Sequence, residues 1–563
     1  MTMKQIIDTF AIIAAIIALA ACHRDLGNYD YTTEPNAIEI SDSMNTNHAN
    51  KALRAFVFEL GEDVVIPAKY KIIDKTLTKD KLMFEWFFGG NNQPVATGEV
   101  LTLKDVPVGL YDALLVITDL RYDQKYSKTV SYSVNPSFTE GWAFISEDGS
   151  SNSKLNYLRI NPNNRDEYEL REDVFASSND GAKLSSGVKE LVAHTFSEDK
   201  FTFAISIVQP GDIGPIDISA NSMSVIGKIK KEFLSDASSL DIKSVIYKKD
   251  QTYVLSENGE LYIRDDENVN HAMVPHSGRF TNTPIAVAGG MHLQDWVNCS
   301  AFSTMMVTIP GIVGYDSDNH RCVDIMGYRV RPFADSKEFY SNQNELHRDA
   351  FGAFGPGFDG TKEYPEIKYP GPENLSGYKV VKMKGCGFDI GWDATQYLTI
   401  VMLLQKESDN KLYLYTFDCY YDAVTGLQDI DLGLFFPVEG KADIDPANII
   451  MINNMGGPRH GVFFTGSDTK SIYYFDAIRG LIRKIYTSDS PITGIRAGEV
   501  ANWMGASPYA DLFVVATEDG YVKVLKVDDD VIAGAAPEVK YSVKINGGHA
   551  TMIEYLPNNA YSF

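Results

Sequence analysis

The chain has 563 residues and carries 75 acidic against 51 basic side chains, a net charge of −24 at neutral pH. A field of that sign repels phosphate backbones and anionic lipid surfaces, which excludes nucleic acid as a partner. The length exceeds what one hydrophobic core supports, so two or more domains are expected, and no stretch beyond residue 22 approaches the roughly 18 apolar residues of a spanning helix.

The first segment is secretory in character. Lys4 is its early cation, Ile6-Ile7 follow, and the apolar run from Phe10 to Ala21 ends in Leu19-Ala20-Ala21-Cys22. A run of this length falls short of the ~20 residues that cross a bilayer, and the small residues before Cys22 give a peptidase access to the backbone. The Leu-Ala-Ala-Cys ending resembles the lipobox of bacterial lipoproteins, with Asp8 as the departure from pattern. That resemblance implies removal of residues 1–21 and a lipid on Cys22, with each buried CH₂ contributing about 0.8 kcal/mol to membrane attachment. The same residues also fit an ordinary secretion signal followed by an unmodified cysteine.

Residues 22–37 are polar and aperiodic, as suits a tether. From residue 38 to 136 the pattern changes to short alternating segments, among them Phe84-Glu85-Trp86-Phe87-Phe88, Val100-Leu101-Thr102-Leu103 and Val130-Ser131-Tyr132-Ser133-Val134, separated by Gly, Asn, Asp and Pro. These predict an immunoglobulin-like β-sandwich with Trp86 filling the space between its sheets. The order Trp86, Leu101-x-Leu103-x-Asp105-Val106-x-x-Gly109-x-Tyr111, then Val116-x-Thr118-Asp119, resembles the PKD domain, in which a Gly-x-Tyr corner precedes a strand ending in Thr-Asp. With the flanking Asp25-Leu26-Gly27-Asn28-Tyr29-Asp30-Tyr31 and Gly141-Trp142-Ala143-Phe144-Ile145-Ser146, residues 19–160 resemble the PKD-like lipoproteins of Bacteroidetes.

Residues 141–563 repeat a unit of strand, tight polar turn and strand. The clearest copies are Tyr253 to Ile263, turning at Asn258-Gly259, and Phe513 to Val524, turning at Asp519-Gly520, dipeptides that supply the positive φ a two-residue hairpin demands. Looser copies lie at Ala143 to Ile160, Phe201 to Ile229, Met305 to Ile325, Thr399 to Phe417 and Val462 to Phe475. About seven such units predict a β-propeller, in which radial stacking covers the faces that no blade buries alone. A series of further sandwiches is the alternative. The fold class is therefore all-β, an N-terminal Ig/PKD-like sandwich followed by a β-propeller of about seven blades.

Enzyme signatures are scarce. Gly355-Pro356-Gly357-Phe358-Asp359-Gly360 matches a dinucleotide-loop spacing, but no strand leads into it and Tyr364-Pro365 follows where a helix would begin. It belongs to a long Gly-, Pro- and aromatic-rich loop, 331–378, whose Tyr340 and Phe354 are candidates to stack on a ligand or to fold the loop onto the propeller. Trp296, Trp392 and Trp503 offer the flat face and N–H donor that suit a sugar ring, or else fill space between blades. His292, His460 and His549 each follow a Gly-Gly pair, and equivalent loops would bring three imidazoles to the propeller axis as a metal or acid/base site. Gly-Gly is also ordinary turn chemistry. Asp316-Ser317-Asp318-Asn319 lacks a full calcium pattern and reads as a solvated turn, and Cys299, Cys322, Cys386 and Cys419 read as small buried hydrophobes with at most one disulfide.

The expectation is a non-enzymatic lipoprotein of the outer membrane, facing the cell exterior, without cofactor or metal. Resemblance to the Bacteroidetes PKD-like lipoproteins implies association with a SusC/SusD-type nutrient importer and a glycan or peptide ligand. The rival expectation is a propeller polysaccharide lyase or glycosidase.

Overall fold

In the computed structural model the described residues are 36–45, 54–89, 93–135, 137–138, 140–147, 149, 152–161, 164, 166–195, 203–248, 250–269, 272–274, 276–285, 290–297, 312–333, 370–390, 396–422, 426–454, 461–498 and 511–556. The chain divides between Asn135 and Pro136 into two compact units.

The first unit is built on period-two strands. In Leu82–Phe88 the side chains of Leu82, Phe84 and Trp86 are buried while Met83 faces out. The strands Phe56–Glu59, Gln124–Asn135, Gly109–Asp119, Leu82–Phe88 and Ala96–Thr97, in that spatial order, form a five-stranded sheet whose first pair is parallel and whose others are antiparallel. Two short antiparallel pairs, Ile38–Ile40 with Tyr70–Ile72 and Val64–Pro67 with Val100–Leu103, contribute Ile38, Val64, Ile66 and Leu101 to the same core. Trp86 lies at the centre, fully buried, and its Nε1 donates to the Gly98 carbonyl at 2.9 Å, so the indole is covered without an orphaned donor.

The strand Gly109–Asp119 is fixed at both ends. At its start the Tyr111 hydroxyl donates back to the Pro107 carbonyl at 2.7 Å and the ring stacks on Tyr132. Gly109 is needed there because a Cβ would lie 2.9 Å from the Tyr111 oxygen. At its end Asp119 is buried and takes Arg121, which reaches on to Asp74 at 2.9 Å. Hydrogen bonds from Thr76 and Arg121 hold the Asp74 carboxyl down at about 2.

In the second unit seven antiparallel sheets, here called blades, follow one another along the chain, with a two-stranded sheet, Glu267–Val269 with Ala272–Val274, after the third. Blade 2 is Glu190–Thr195, Phe203–Val208, Ile216–Ser219 and Val225–Lys228, and blade 3 is Ile242–Lys248, Gln251–Ser256 and Leu261–Asp265. Blade 4 is Leu293–Val297, Ile312–Asp316, Arg321–Met326 and Arg329–Pro332, and blade 5 is Tyr378–Ile390, Gln396–Lys406, Leu412–Asp422 and Gly426–Pro437. Blade 6 is Met451–Asn454, Gly461–Thr465, Ser471–Asp476 and Leu481–Thr487, and blade 7 is Ile492–Ala497, Leu512–Thr517, Tyr521–Lys526 and Glu538–Lys544. Blade 1 combines Gly141–Glu147, Asn152–Ile160 and Tyr168–Arg171 with the C-terminal strand His549–Leu556, which pairs antiparallel with Gly141–Glu147.

Seven apolar cores join these sheets into a closed ring, each shared by two neighbours. Ile145 packs with Ile205 between blades 1 and 2, Val208 with Val245 between 2 and 3, and Leu261 with Val323 between 3 and 4. Val313 meets Ile400 between 4 and 5, Leu403 meets Phe464 between 5 and 6, and Phe463 meets Phe513 between 6 and 7. Trp142 and Phe144 meet Val514 and Val524 between blades 1 and 7, which completes the circuit. This is a β-propeller. Each of the seven hairpins read in the sequence lies in a different blade, and the turn glycines Gly259 and Gly520 have φ of +73° and +86°. The three described cysteines, Cys322, Cys386 and Cys419, are buried.

Two outcomes are expected. Trp86→Ala leaves a cavity in the first unit and costs about 3–5 kcal/mol, read as a downshift of that unit's calorimetric transition, with Trp86→Phe costing less. A chain ending at Gly548 leaves Gly141–Glu147 without its pairing strand and uncovers Trp142 and Phe144; differential scanning calorimetry should then show no cooperative transition for the ring, and the dye ANS should bind.

Candidate functional site

The innermost strand of each blade is the first in blades 2 to 7 and the C-terminal strand in blade 1, and these strands are neighbours around the axis. Each brings a polar side chain into a stretch of strand that is otherwise largely apolar: Glu190, Ser244, Asp295, Lys384, Asn453, Arg496 and Glu554, in blade order from 2 through 7 and back to 1.

Hydrogen bonds connect much of this belt. Glu190 accepts from the Ser244 hydroxyl at 2.9 Å and from the Val245 backbone at 3.2 Å, and Ser244 in turn accepts from the Trp296 indole at 2.9 Å. The Lys243 ammonium donates to the Gln294 carbonyl at 2.6 Å, and the Gln294 amide reaches the Val380 carbonyl of blade 5 at 3.0 Å. Across the ring Arg496 pairs with Glu554 at 2.7 Å and donates to Asn453 at 3.1 Å.

The electrostatics of the belt follow from its partial enclosure. Arg496 and Glu554 are both buried, and burial raises the Glu554 carboxyl while Arg496 and Lys384 pull it down. Glu190 is half-buried, and its removal from water pushes the carboxyl up to about 7. The Ser244 and Val245 hydrogen bonds and the Lys384 charge oppose that rise, and Asp295 adds to it. Lys384 is also half-buried; its charge acts on Glu190 and Glu554, yet it makes no direct ion pair among the described residues. A carboxyl that burial keeps protonated toward neutrality is able both to bind polar groups and to exchange a proton.

The residues singled out in the sequence are placed differently. Trp296 is buried in the core between blades 3 and 4, so its face is closed to a sugar ring, and its N–H is spent on Ser244. His292 packs against Gly259 of the blade 3 hairpin, and His549 stands opposite Glu147 at the start of the C-terminal strand. The two share no partner among the described residues. Both stand where the chain comes into an innermost strand. His460, Trp392, Trp503, Tyr340, Phe354 and Cys22 lie outside the described residues, as does most of the 331–378 loop. Asp316 is not a solvated turn residue. It is fully buried and accepts from the His292 backbone, Asn319 and Arg321, tying the start of blade 4 to its hairpin. Among the described residues no cluster of three His, Cys, Asp or Glu is arranged to hold a metal ion.

A second polar cluster lies between blades 2 and 3. Asp217 accepts from Ser206 and Tyr247, and His276 sits 2.8 Å from Glu232 and 3.4 Å from Asp217. Glu232 pairs with the fully buried Arg264, which also holds Asp266 and Thr252. His276 arrives on the segment that follows blade 3's third strand, so this network fastens the place where a fourth strand is missing. His194 stacks edge-on against Tyr247 with neither ring nitrogen bonded among the described residues, and burial lowers its pKa to about 3. These enclosed side chains are structural.

No protein-family model matches the chain, and no curated protein does. Among solved structures it is similar to a quinonprotein alcohol dehydrogenase-like protein of Bacteroides thetaiotaomicron, at 11% identity over 92% of this chain and 99% of that one, with a TM-score of 0.37. Yeast RCC1 (Prp20), solved bound to Kap60, is 11% identical over 76% and 92% of the two chains with a TM-score of 0.36. The dihydro-heme d1 dehydrogenase NirN, in complex with DHE, is 11% identical over 85% and 76% with a TM-score of 0.32. At these values the likenesses carry nothing about chemistry.

Two consequences are measurable. The folded chain holds the Glu190 proton up to about pH 7, while an unfolded glutamate releases it near its ordinary value of 4.5. The folded state therefore binds more protons between those values, and stability falls as pH rises through the window. Glu190→Gln should flatten that part of the stability profile in denaturant titrations. Arg496→Leu leaves Glu554 as a buried unpaired carboxylate and should cost about 3–5 kcal/mol in the same measurement.

Proposed function

We propose that this chain is a lipid-anchored outer-membrane protein facing the cell exterior, with an Ig/PKD-like sandwich as spacer and a propeller that binds a glycan or peptide nutrient at its axis, in the service of a SusC/SusD-type importer. The observation that carries the binding reading is the axial belt, in which innermost strands distant in sequence bring polar side chains together, Glu190 with Ser244 and Arg496 with Glu554 and Asn453. A fold does not require such convergence, since apolar side chains close a propeller equally well.

The remaining parts are supported one by one. The Leu19-Ala20-Ala21-Cys22 ending supports lipidation at Cys22, and among the described residues no helix is long and apolar enough to cross a membrane. The Tyr111 corner, the buried Trp86 and the Thr118-Asp119 strand end support a PKD-like spacer. A tether raises the local concentration of a binding head near a transporter in the same membrane.

One observation favours a second reading, a lyase or glycosidase. Glu190 keeps a proton near neutrality and shares the axis with the carboxylates of Asp295 and Glu554, and glycoside cleavage needs one protonated and one ionised carboxyl.

The deciding experiment is recovery of partners from membranes dissolved in mild detergent, with the tagged chain as bait and Cys22→Ala as control. Co-purification of a large β-barrel transporter with its partner lipoprotein, lost in Cys22→Ala, is the expected result. Recovery of neither would overturn the importer reading. Reducing ends or unsaturated products released from polysaccharide by the wild type, but not by Glu190→Gln, would favour the enzyme.

A further inference from the structure

The end of the first unit at which the tether joins it carries an apolar turn. Leu120-Arg121-Tyr122-Asp123 connects Gly109–Asp119 to Gln124–Asn135, and in it Leu120 is 52% and Tyr122 75% exposed. Tyr122 is the most exposed large hydrophobic side chain among the described residues. Other exposed apolar residues of this unit lie along strands with polar neighbours, as Leu114 does opposite Thr129, which is ordinary. A tight connection between strands calls for Gly, Asn, Asp or Ser, so the turn itself does not account for two large apolar side chains.

The turn is held stiffly. The Leu120 N–H donates to the Lys81 carbonyl at 2.9 Å, and the Arg121 guanidinium packs over the Tyr122 ring, 5.2 Å from its centroid. Arg121 is itself fixed by Asp119 at 2.7 Å, Asp74 at 2.9 Å and the Thr76 hydroxyl at 2.9 Å. Such a turn has little conformational freedom left to lose when it meets a partner.

The same end receives the chain from the tether. The Ala37 N–H donates to the Tyr126 hydroxyl at 3.1 Å, and the Ala37 carbonyl accepts from Ile73 and from Asp74, the residue that holds Arg121. Residues 22–35 precede this point outside the described residues, and at full extension they reach no more than about 50 Å. With a lipid on Cys22, this end stays within that distance of the bilayer. The strand that begins at the turn runs the other way, and its 12 residues take the chain to Asn135, about 35 Å along. Charge agrees with this placement. Over residues 74–81 and 119–125 five Lys and Arg stand against four Asp, with Glu99 paired to Lys79 as a fifth carboxylate, so this end is close to neutral in a chain of net charge −24.

We infer that the turn Leu120 to Asp123 is a membrane-contact site, at which Leu120 enters the apolar edge of the lipid surface and the Tyr122 ring lies at the level of the headgroups. A tyrosine suits that level because its ring is apolar and its hydroxyl reaches water, and the exposed Lys81 beside it is able to lay its stem on the surface with the ammonium in water. The inference rests on the lipid anchor proposed above and adds a second attachment to it. A lipid alone lets the unit swing about Cys22, whereas the turn fixes which end faces the bilayer and directs Asn135 away from it.

The test reconstitutes the full lipidated chain in vesicles of phosphatidylethanolamine and phosphatidylglycerol. A nitrobenzoxadiazole dye is placed on Gln124→Cys beside the turn, or on Val108→Cys at the other end of Gly109–Asp119, with the unsubstituted chain as the blank for its own cysteines. Mass spectrometry of the N-terminal peptide reports the lipid separately. Spin-labelled lipid is expected to remove about half or more of the emission at position 124 and to leave position 108 unchanged, as insertion to a depth of roughly 5–10 Å requires. The double variant Leu120→Ser, Tyr122→Ser, whose sites are exposed and whose melting should match the wild type, is expected to abolish the quenching. Quenching that the double variant retains reflects the short tether alone and overturns the inference. Equal quenching at both positions, or none at either in a lipidated chain that floats with the vesicles, also overturns it and leaves the anchor standing. Shielding of position 124 in native membranes but not in lipid vesicles assigns the turn to a protein partner, with the same consequence. An N-terminal peptide without lipid overturns the anchor, and this inference with it.

Discussion

Each sheet of the second unit is apolar on two faces, and no single sheet is able to cover both. Stacking seven of them radially covers all fourteen faces only if the last meets the first, and the strand His549–Leu556 secures that meeting by completing blade 1 beside Gly141–Glu147. A ring closed by joining the two ends of the chain ties strands more than 400 residues apart, as in the bond from Tyr555 to Glu140 at 2.7 Å. Every inter-blade core then depends on the integrity of the circuit, because one missing blade contact exposes an apolar face on each side of the gap.

Closure also dictates where chemistry gathers. The innermost strands line the axis, and polar residues such as Glu190 with Ser244 and Arg496 with Glu554 meet there across neighbouring blades, partly shielded from water. The raised carboxyl of Glu190 arises from that shielding, and the Arg496–Glu554 pair answers it with a direct ion pair. Among the described residues Lys384 has no such ion pair, which separates it from Arg496. The network around Asp217, Glu232 and Arg264 shows the opposite arrangement, in which buried charges have partners on all sides and serve to fasten a blade that is one strand short.

The sequence was legible wherever local pattern decides the structure. Period-two alternation located Leu82–Phe88 and its buried Trp86, and Asn258-Gly259 and Asp519-Gly520 located two blade hairpins, because positive φ at a two-residue turn is a local demand. Side-chain placement was less legible. Trp296, read in the sequence either as a flat face for a sugar or as filling between blades, takes the second place, since an innermost strand has a neighbouring blade on each face. Asp316 sits in a run of polar residues that reads as a solvated turn, yet it is buried because three donors converge on it from the hairpin and the preceding loop. The belt residues escaped notice for the same reason. A signal existed, a polar residue interrupting an apolar innermost strand, as in Ile495-Arg496-Ala497 and Ile553-Glu554-Tyr555, but nothing local distinguishes it from surface alternation.

By itself, then, the sequence determined the all-β character, the spacing of the hairpins and the buried indole of the first unit, because each follows from residue order over a few positions. Only the tertiary structure decided which strands are innermost, that the C-terminal strand belongs to the first blade, and which side chains share the axis. Those are relations between residues separated by one to seven blades, and they are set by the angle at which packed sheets close a circle, a quantity that no local pattern contains.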